Sequence, residues 1–311
     1  MEEEVDYEVL PTTSVATNML AGALAGITEH TVMYPLDSVK TRMQVLSPSP
    51  QAIYTGVANA LSRISTAEGA STLWRGVTSV IVGAGPAHAL YFATYEKCKE
   101  VFSSKDNIHN HLAHAGAGAC ATIVSDGLMN PFDVIKQRMQ VHGSTYRGVV
   151  ECGLDIMRKE GLAAFYISYP TTLMMTVPFQ AVHFSTYEYF RKILNPKGGY
   201  DPKTHIASGA IAGAAAAAIT NPLDVAKTLL QTRGAASDTK VRQASGMIDA
   251  FKLIYTRNGL AGFTMGAKAR MLSHMPATAI CWTTYEFLKM VLSKQPGFAN
   301  EPIVTPVNPS S

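Results

Sequence analysis

Three prolines, Pro35, Pro131 and Pro222, each stand two residues before an aspartate and five before a lysine, in the strings YPLDSVKTRMQ, NPFDVIKQRMQ and NPLDVAKTLLQ. An acid and a base three residues apart share one face of a helix. Asp37 with Lys40, Asp133 with Lys136 and Asp224 with Lys227 therefore form three matching ionic faces, each free to bind a counter-charge on another helix. The proline ahead of each removes a helix hydrogen bond and bends the segment that carries them. A second set keeps the same step: YEKCK, YEYFR and YEFLK place Glu96 with Lys99, Glu188 with Arg191 and Glu286 with Lys289, each glutamate ten residues after Pro86, Pro178 or Pro276.

Between the two sets the chain holds histidines. His30, His88, His183 and His274 lie in apolar stretches, with His114 and His205 near the ends of two others; the same stretches contain two acids, Glu29 and Asp126, and no Lys or Arg. Binding a nucleotide, phosphate or carboxylate takes fixed positive charge, which this pattern lacks. Imidazole with an occasional carboxylate suits Fe, Zn, Cu or Mn better than Mg or Ca. His30 precedes Asp37 by seven residues, two helical turns or about 10 Å, and Asp126 precedes Asp133 by the same step, so both are expected on the inward face. His88 precedes Lys99 by eleven residues, close to three turns, and His205 stands seventeen before Pro222, near the mouth. His274 lies two residues before Pro276; offsets of two and three residues from Pro178 and Pro86 select Thr176, Met175, Ala84 and Gly83, of which Met175 offers a soft thioether. Single histidines at successive depths make weak stations for a moving ion instead of one closed cage. A hydrogen-bonded packing role competes with this reading at every histidine, most strongly at His183, His114 and His274.

Elements that could hold such groups follow from the repeat. The prolines are 96 and 91 residues apart in a chain of 311, so the unit is about a hundred residues and occurs three times. Each unit reads as two long apolar helices with a short amphipathic one between, the latter in YTGVANALSRISTAEG, YRGVVECGLDIMRKEG and ASGMIDAFKLIYTRNG. Charged residues make up 16% of the chain, against about 25% in an ordinary soluble domain. The expected fold is thus an all-α membrane protein of six transmembrane helices in three pseudo-symmetric repeats, at residues 15–105, 106–198 and 199–294, with tails at 1–14 and 295–311. Gly22/Gly26 and Gly209/Gly213 suit close helix packing in lipid.

The net charge of +3 comes without a Lys/Arg block, so nucleic acid is not an expected partner. Cys98, Cys120, Cys152 and Cys281 show no metal or disulfide spacing, and the acidic start MEEEVDYEVL is neither a transit peptide nor a secretory leader. Of 26 Lys and Arg, 17 fall on the side of the inter-helix loops, including Lys268 and Arg270; the positive-inside tendency puts those loops in the inner compartment and both termini outside.

The triplicated Pro-x-Asp-x-x-Lys strings, followed by EGASTLWRG in the first repeat and EGLAAFYIS in the second, resemble the signature of the mitochondrial carrier family over nearly the whole chain. The resemblance implies a six-helix bundle of the mitochondrial inner membrane with a central cavity open alternately to either side, no enzyme activity, and inner-membrane lipid, cardiolipin among it, as a partner; three repeats in one chain complete such a bundle without a second copy, so a monomer is expected. It also implies pairing of Asp37 with Lys136, Asp133 with Lys227 and Asp224 with Lys40 as a matrix gate. Gln44, Gln140 and Gln231 match brace positions beneath it, and Glu96, Glu188 and Glu286 with Lys99, Arg191 and Lys289 match the opposite, cytoplasmic gate. The third repeat departs from the pattern: Leu229 replaces Arg42 and Arg138, and NGLAGFTMG has neither acid nor base. The second ends FYIS, without the base-glycine. A full threefold set of lipid-headgroup sites is therefore not expected.

EHTVMYPLDSVKTRMQ, GAGPAHALYFATYE and HMPATAICWTTYE further resemble the iron-importing branch of that family, in which His30, His88 and His205 match histidines associated with transport. By that resemblance Fe2+ is the transported substrate, with Mn, Cu, Zn or a small iron chelate as alternatives, and no cofactor is required; Fe(III) is hydrolysed and held too tightly by oxygen ligands to suit. A carrier of a neutral or zwitterionic organic solute would also fit a cavity without bases. A membrane adaptor or enzyme would need an exposed interaction surface or a catalytic set, and the sequence offers no nucleophile–base pairing or phosphate loop.

Overall fold

The computed structural model describes residues 15–46, 52–102, 110–196 and 202–292, and among them there is no strand. The expected tails, 1–14 and 295–311, lie outside these residues. The first repeat comprises α1 (Val15–Gln44), α2 (Val57–Ala67) and α3 (Val77–Phe102); the second α4 (Asn110–Gln140), α5 (Val149–Glu160), α6 (Ala163–Tyr166) and α7 (Tyr169–Leu194); the third α8 (Pro202–Ile219), α9 (Asn221–Thr232), α10 (Thr239–Arg242), α11 (Met247–Asn258) and α12 (Ala267–Leu292). α3 packs along α4, α7 along α8 and α12 along α1, so the last helix of each repeat meets the first of the next and the ring closes.

The bundle is polar inside and apolar outside, the reverse of a soluble protein. Gln44, Gln140, Gln231, Asp224 and Arg270 are buried, whereas Val82, Phe92, Val124, Val177, Phe184 and Ile219 are exposed. Such a surface is stable only against hydrocarbon. By length and apolar content alone the stretch 70–102 qualifies as a span, as does the bent pair 203–219 and 221–235. The 30 residues of α1 and 31 of α4 reach about 45 Å at 1.5 Å per residue, ample to cross, and carry inward charges that lower their mean hydropathy.

The three short helices lie across the ends of the long ones at one end of the bundle. α2 buries Ala60 and Ile64, α5 Cys152 and Ile156, α11 Ala250 and Ile254. These pack on Val39, on Val134 with Ile135, and on Val225 with Leu229, respectively; each isoleucine so buried contributes about 2 kcal/mol. Burial pushes the Cys152 thiol up to about 12.

The prolines act differently in the three repeats. α1 and α4 run through Pro35 and Pro131 as single helices; the third breaks at Thr220, bending by 66° before Asn221–Pro222. Pro35 has no N–H for the carbonyl of Thr31, and the indole of Trp74 donates to that carbonyl at 2.9 Å. Gly76 and Gly266 take positive φ, 89° and 69°, in the turns that lead into α3 and α12; at the matching turn of the second repeat Ser168 has φ −87° and needs no glycine. The small-residue expectation is mixed: a Cβ on Gly213 would stand 3.3 Å from the His274 Cβ, whereas one on Gly26 would meet nothing within 4 Å.

Candidate functional site

Where α1, α4 and α9 converge, their charged faces interlock in a cycle. Lys136 Nζ reaches Asp37 at 3.0 Å, Lys227 Nζ reaches Asp133 at 3.1 Å and Lys40 Nζ reaches Asp224 at 2.8 Å. Each helix gives its aspartate to one neighbour and its lysine to the other. Lys136 also lies 5.3 Å above the centre of the Tyr34 ring, a cation–π contact.

The glutamines one turn beyond are less regular. Gln44 donates to Asp224 at 2.7 Å and accepts from Thr228 at 2.8 Å; Gln140 accepts from Thr41 at 2.8 Å. The residue matching Thr41 and Thr228 in the second repeat is Gln137. Its buried Oε1, like both amide atoms of Gln231, has no hydrogen-bond partner among the described residues.

A second ring, missed by the sequence reading, ties each proline motif to its loop. The residue before each proline donates to a loop carbonyl: Tyr34 to Arg75 at 3.0 Å, Asn130 to Phe165, and Asn221 to Phe263 at 2.7 Å. A donor side chain ahead of all three prolines was the available signal. Outside these straps, Arg42 forks onto Glu68 at 2.5 and 2.9 Å and donates to the Gln140 carbonyl at 2.9 Å. Arg138 does the same to Glu160 and Gln231. The third-repeat departures are then one change: Leu229 and Asn258 occupy the positions of this arginine and this glutamate, so the pair is absent as a unit and neither charge is left alone.

At the far end Glu188 bonds Arg191 on its own helix at 3.0 Å, and Glu96 and Lys99 are exposed. The side chains of Glu286 and Lys289 lie outside the described residues, as does that of His114.

The histidines are dispersed. His30 sits two turns above Asp37 on the unbroken α1 and is exposed, as is His88 on α3. His205 Nδ1 lies 2.5 Å from the Tyr187 hydroxyl, His183 stacks on Phe179 at 6.1 Å, and His274 packs 5.3 Å from the same ring. Asp126 is half-buried. Among the described residues no three His, Cys, Asp or Glu side chains gather into a metal site. Gly83 faces Phe132 and Met129 of α4, an inter-helix packing contact.

The expectation of a stretch without bases is wrong at Arg270. α12 begins at Ala267, so Arg270 is in its first turn and points inward, 2% exposed. It lies 3.5 Å from Asp224, donates to the Ala217 carbonyl at 3.0 Å, stands 5.8 Å from the Phe179 ring centre and 3.6 Å from the Met175 sulfur. A guanidinium so placed ties α12 to α8, α9 and α7 at the floor of the site.

A family model described as mitochondrial carrier protein matches residues 11–106, 108–198 and 200–296. The chain belongs to the mitochondrial carrier family. The carriers it is similar to include Mitoferrin-1 of Homo sapiens, 51% identical over 298 residues, covering 93% of this chain and 88% of the relative. Mitoferrin-1 of Danio rerio is 50% identical over 307 residues, 97% and 92% of the two chains. Mitoferrin of Caenorhabditis briggsae is 45% identical over 307 residues, 96% and 98%. The carrier fold accounts for the six long helices, and the three matched segments are the three structural repeats.

Proposed function

We propose that this carrier imports ferrous iron into the mitochondrial matrix by alternating access. The observation that supports the reading is the cycle of three ion pairs that cross between repeats at one end of the bundle. The interlocked ring of Asp37, Lys40, Asp133, Lys136, Asp224 and Lys227 is the matrix gate, braced by Gln44 and Gln140 and most loosely by Gln231. Glu96, Lys99, Glu188, Arg191, Glu286 and Lys289 interlock at the intermembrane-space side, where the termini lie, when the matrix gate opens. Buried ion pairs add little net stability because desolvation offsets attraction, which lets two such gates exchange at similar energy.

Iron as cargo is supported by similarity to the mitoferrins together with soft and borderline donors on the path: His30, His88 and His205, with Met175, His274 and Asp126 near the floor. Tyr187 orients His205 at the mouth, and Arg270 holds Asp224 and Met175 at the base. Inner-membrane lipid, cardiolipin in particular, packs around a monomeric bundle, since three repeats complete the ring within one chain.

The test is uptake by purified protein in liposomes under reducing conditions. Fe(II) enters, ATP, ADP and citrate do not, and excess neutral amino acids do not compete. The His30→Ala/His88→Ala variant, at normal membrane levels, transports iron at no more than about a tenth of the parental rate, a loss of about 1.4 kcal/mol or more in the limiting step. Undiminished flux in that variant would remove the histidine path while leaving the carrier intact.

A further inference from the structure

Cys98 and Cys120 stand 22 residues apart and in different repeats, a spacing that signals nothing by itself. The antiparallel contact of α3 with α4 brings them level. Phe102, at the end of α3, lies against Gly116, where an added Cβ would stand 3.5 Å from the ring, and further along Ser125 of α4 donates to the Ala87 carbonyl at 3.0 Å. Cys98 is about one turn before Phe102 and Cys120 about one turn after Gly116, so the same register sets them opposite each other. Their thiols meet there, near enough to share a hydrogen bond, and both residues remain partly exposed.

The surroundings admit a water-soluble reagent. Glu96, Lys97, Lys99 and Glu100 flank Cys98 and are exposed; charges so dense belong at the edge of the aqueous phase and not in hydrocarbon. Cys152 is fully buried and out of reach of such a reagent.

We infer that Cys98 and Cys120 form a reversible disulfide that ties the first repeat to the second and arrests the carrier in the conformation described above. The Cys98 thiolate attacks a low-mass disulfide, glutathione disulfide being the model, and displaces one glutathione thiolate; the Cys120 thiolate then attacks the Cys98 sulfur of the mixed disulfide and displaces the second. Two cysteine thiols give up two protons and two electrons, which leave as two molecules of glutathione. The second step is intramolecular between groups already in contact, which favours this pair over an isolated thiol. The bond forms on the turn of α3 that carries Glu96 and Lys99 and fixes that turn against α4. The arrest rests on the proposed alternating access: Glu96 and Lys99, so fixed, no longer interlock with the matching pairs of the other repeats, and the matrix gate stays shut until the disulfide is reduced.

The bond and the arrest are read separately. Purified full-length carrier in lipid nanodiscs is incubated with glutathione disulfide, remaining thiols are blocked with N-ethylmaleimide, and unreduced peptides are measured by mass spectrometry. More than about half of the protein is expected to carry the Cys98–Cys120 linked peptide, and dithiothreitol reverses it. Absence of that peptide, or glutathione retained on either cysteine in its place, would overturn the site. In liposomes pretreated with glutathione disulfide and then assayed with ascorbate to keep iron ferrous, uptake by the parental protein falls at least about fivefold and dithiothreitol restores it. The Cys98→Ser/Cys120→Ser variant keeps parental uptake with and without the pretreatment. Parental uptake by fully linked protein, or equal inhibition of the double variant, would overturn the arrest. Linkage in a protein that moves no iron even when reduced defeats the proposed cargo alone, because the linked peptide is measured without transport.

Discussion

The two ends of the bundle carry the same chemistry, an acid and a base three residues apart on each long helix, yet they are wired differently. At the short-helix end the three aspartate–lysine pairs each join two helices; at the far end Glu188 bonds Arg191 on its own helix, and the side chains of Glu286 and Lys289 lie outside the described residues. Identical spacing therefore does not dictate pairing. Where α1, α4 and α9 meet, the helix ends converge and bring the charged faces within 3.1 Å of one another.

Reversing charge at each end separates these cases. Asp37→Lys places a second cation against Lys136 and is expected to lower iron uptake more than about tenfold, while Asp37→Lys with Lys136→Asp restores at least a third of it. Glu188→Lys at the far end slows transport too, but leaves the thermal stability of this conformation unchanged, because it removes an exposed pair worth about 0.5 kcal/mol or less. Uptake by the double variant no better than by Asp37→Lys alone, at normal membrane levels, would remove the cross-repeat pairing from the mechanism.

Within the closed end the ring itself is uneven, and neutralising its acids one at a time measures that. The Asp224 side chain is 5% exposed and serves both Lys40 and Arg270, whereas Asp133, at 27%, serves Lys227. Asp224→Asn strands two buried cations and is expected to cost about 3–5 kcal/mol. Asp133→Asn costs roughly 1–2 kcal/mol, between the buried and exposed limits. Thermal unfolding of the detergent-purified protein reads the difference. Equal losses would mean that Arg270 adds nothing to the ring and that its inward turn is incidental.

Most of the closed end was legible in the sequence because its parts repeat. The Pro-x-Asp-x-x-Lys step and the three amphipathic stretches recur in the structure, and of the glutamines four residues beyond each lysine Gln44 and Gln140 find side-chain partners. What stayed hidden depends on contacts between segments remote in the chain. Arg270 read as a loop base because the uncharged part of the last apolar stretch begins after it, while α12 starts at Ala267. Leu229 and Asn258 read as two unrelated departures because the pair they replace, Arg138 with Glu160, joins α4 to the end of α5. Gln231 read as one brace of three, and its lack of a partner traces to Gln137, which stands where the other repeats have a threonine. His205 gave no sign of Tyr187, eighteen residues earlier on another helix.

The smallest expected effect concerns the outer ring of pairs, present in two repeats and missing from the third. Glu68 faces Arg42 from α1 and His142 beyond α4, and those bonds hold its folded value below the usual 4.5. A depressed carboxyl contributes stability that is fully present above its unfolded value and is lost as pH falls through its folded value. The parental protein should therefore lose melting temperature between about pH 5 and pH 3 more steeply than Glu68→Gln, by about 2 °C, given the size of the chain. The other acids titrate in both proteins, so the difference isolates Glu68. Asn258, its counterpart, has no proton to gain, and Asn258→Gln should leave the slope as it is. Parallel pH slopes for the parent and Glu68→Gln would show that the Arg42–Glu68–His142 cluster adds nothing to folding, and that the absence of its third copy has no bearing on how the closed end is held.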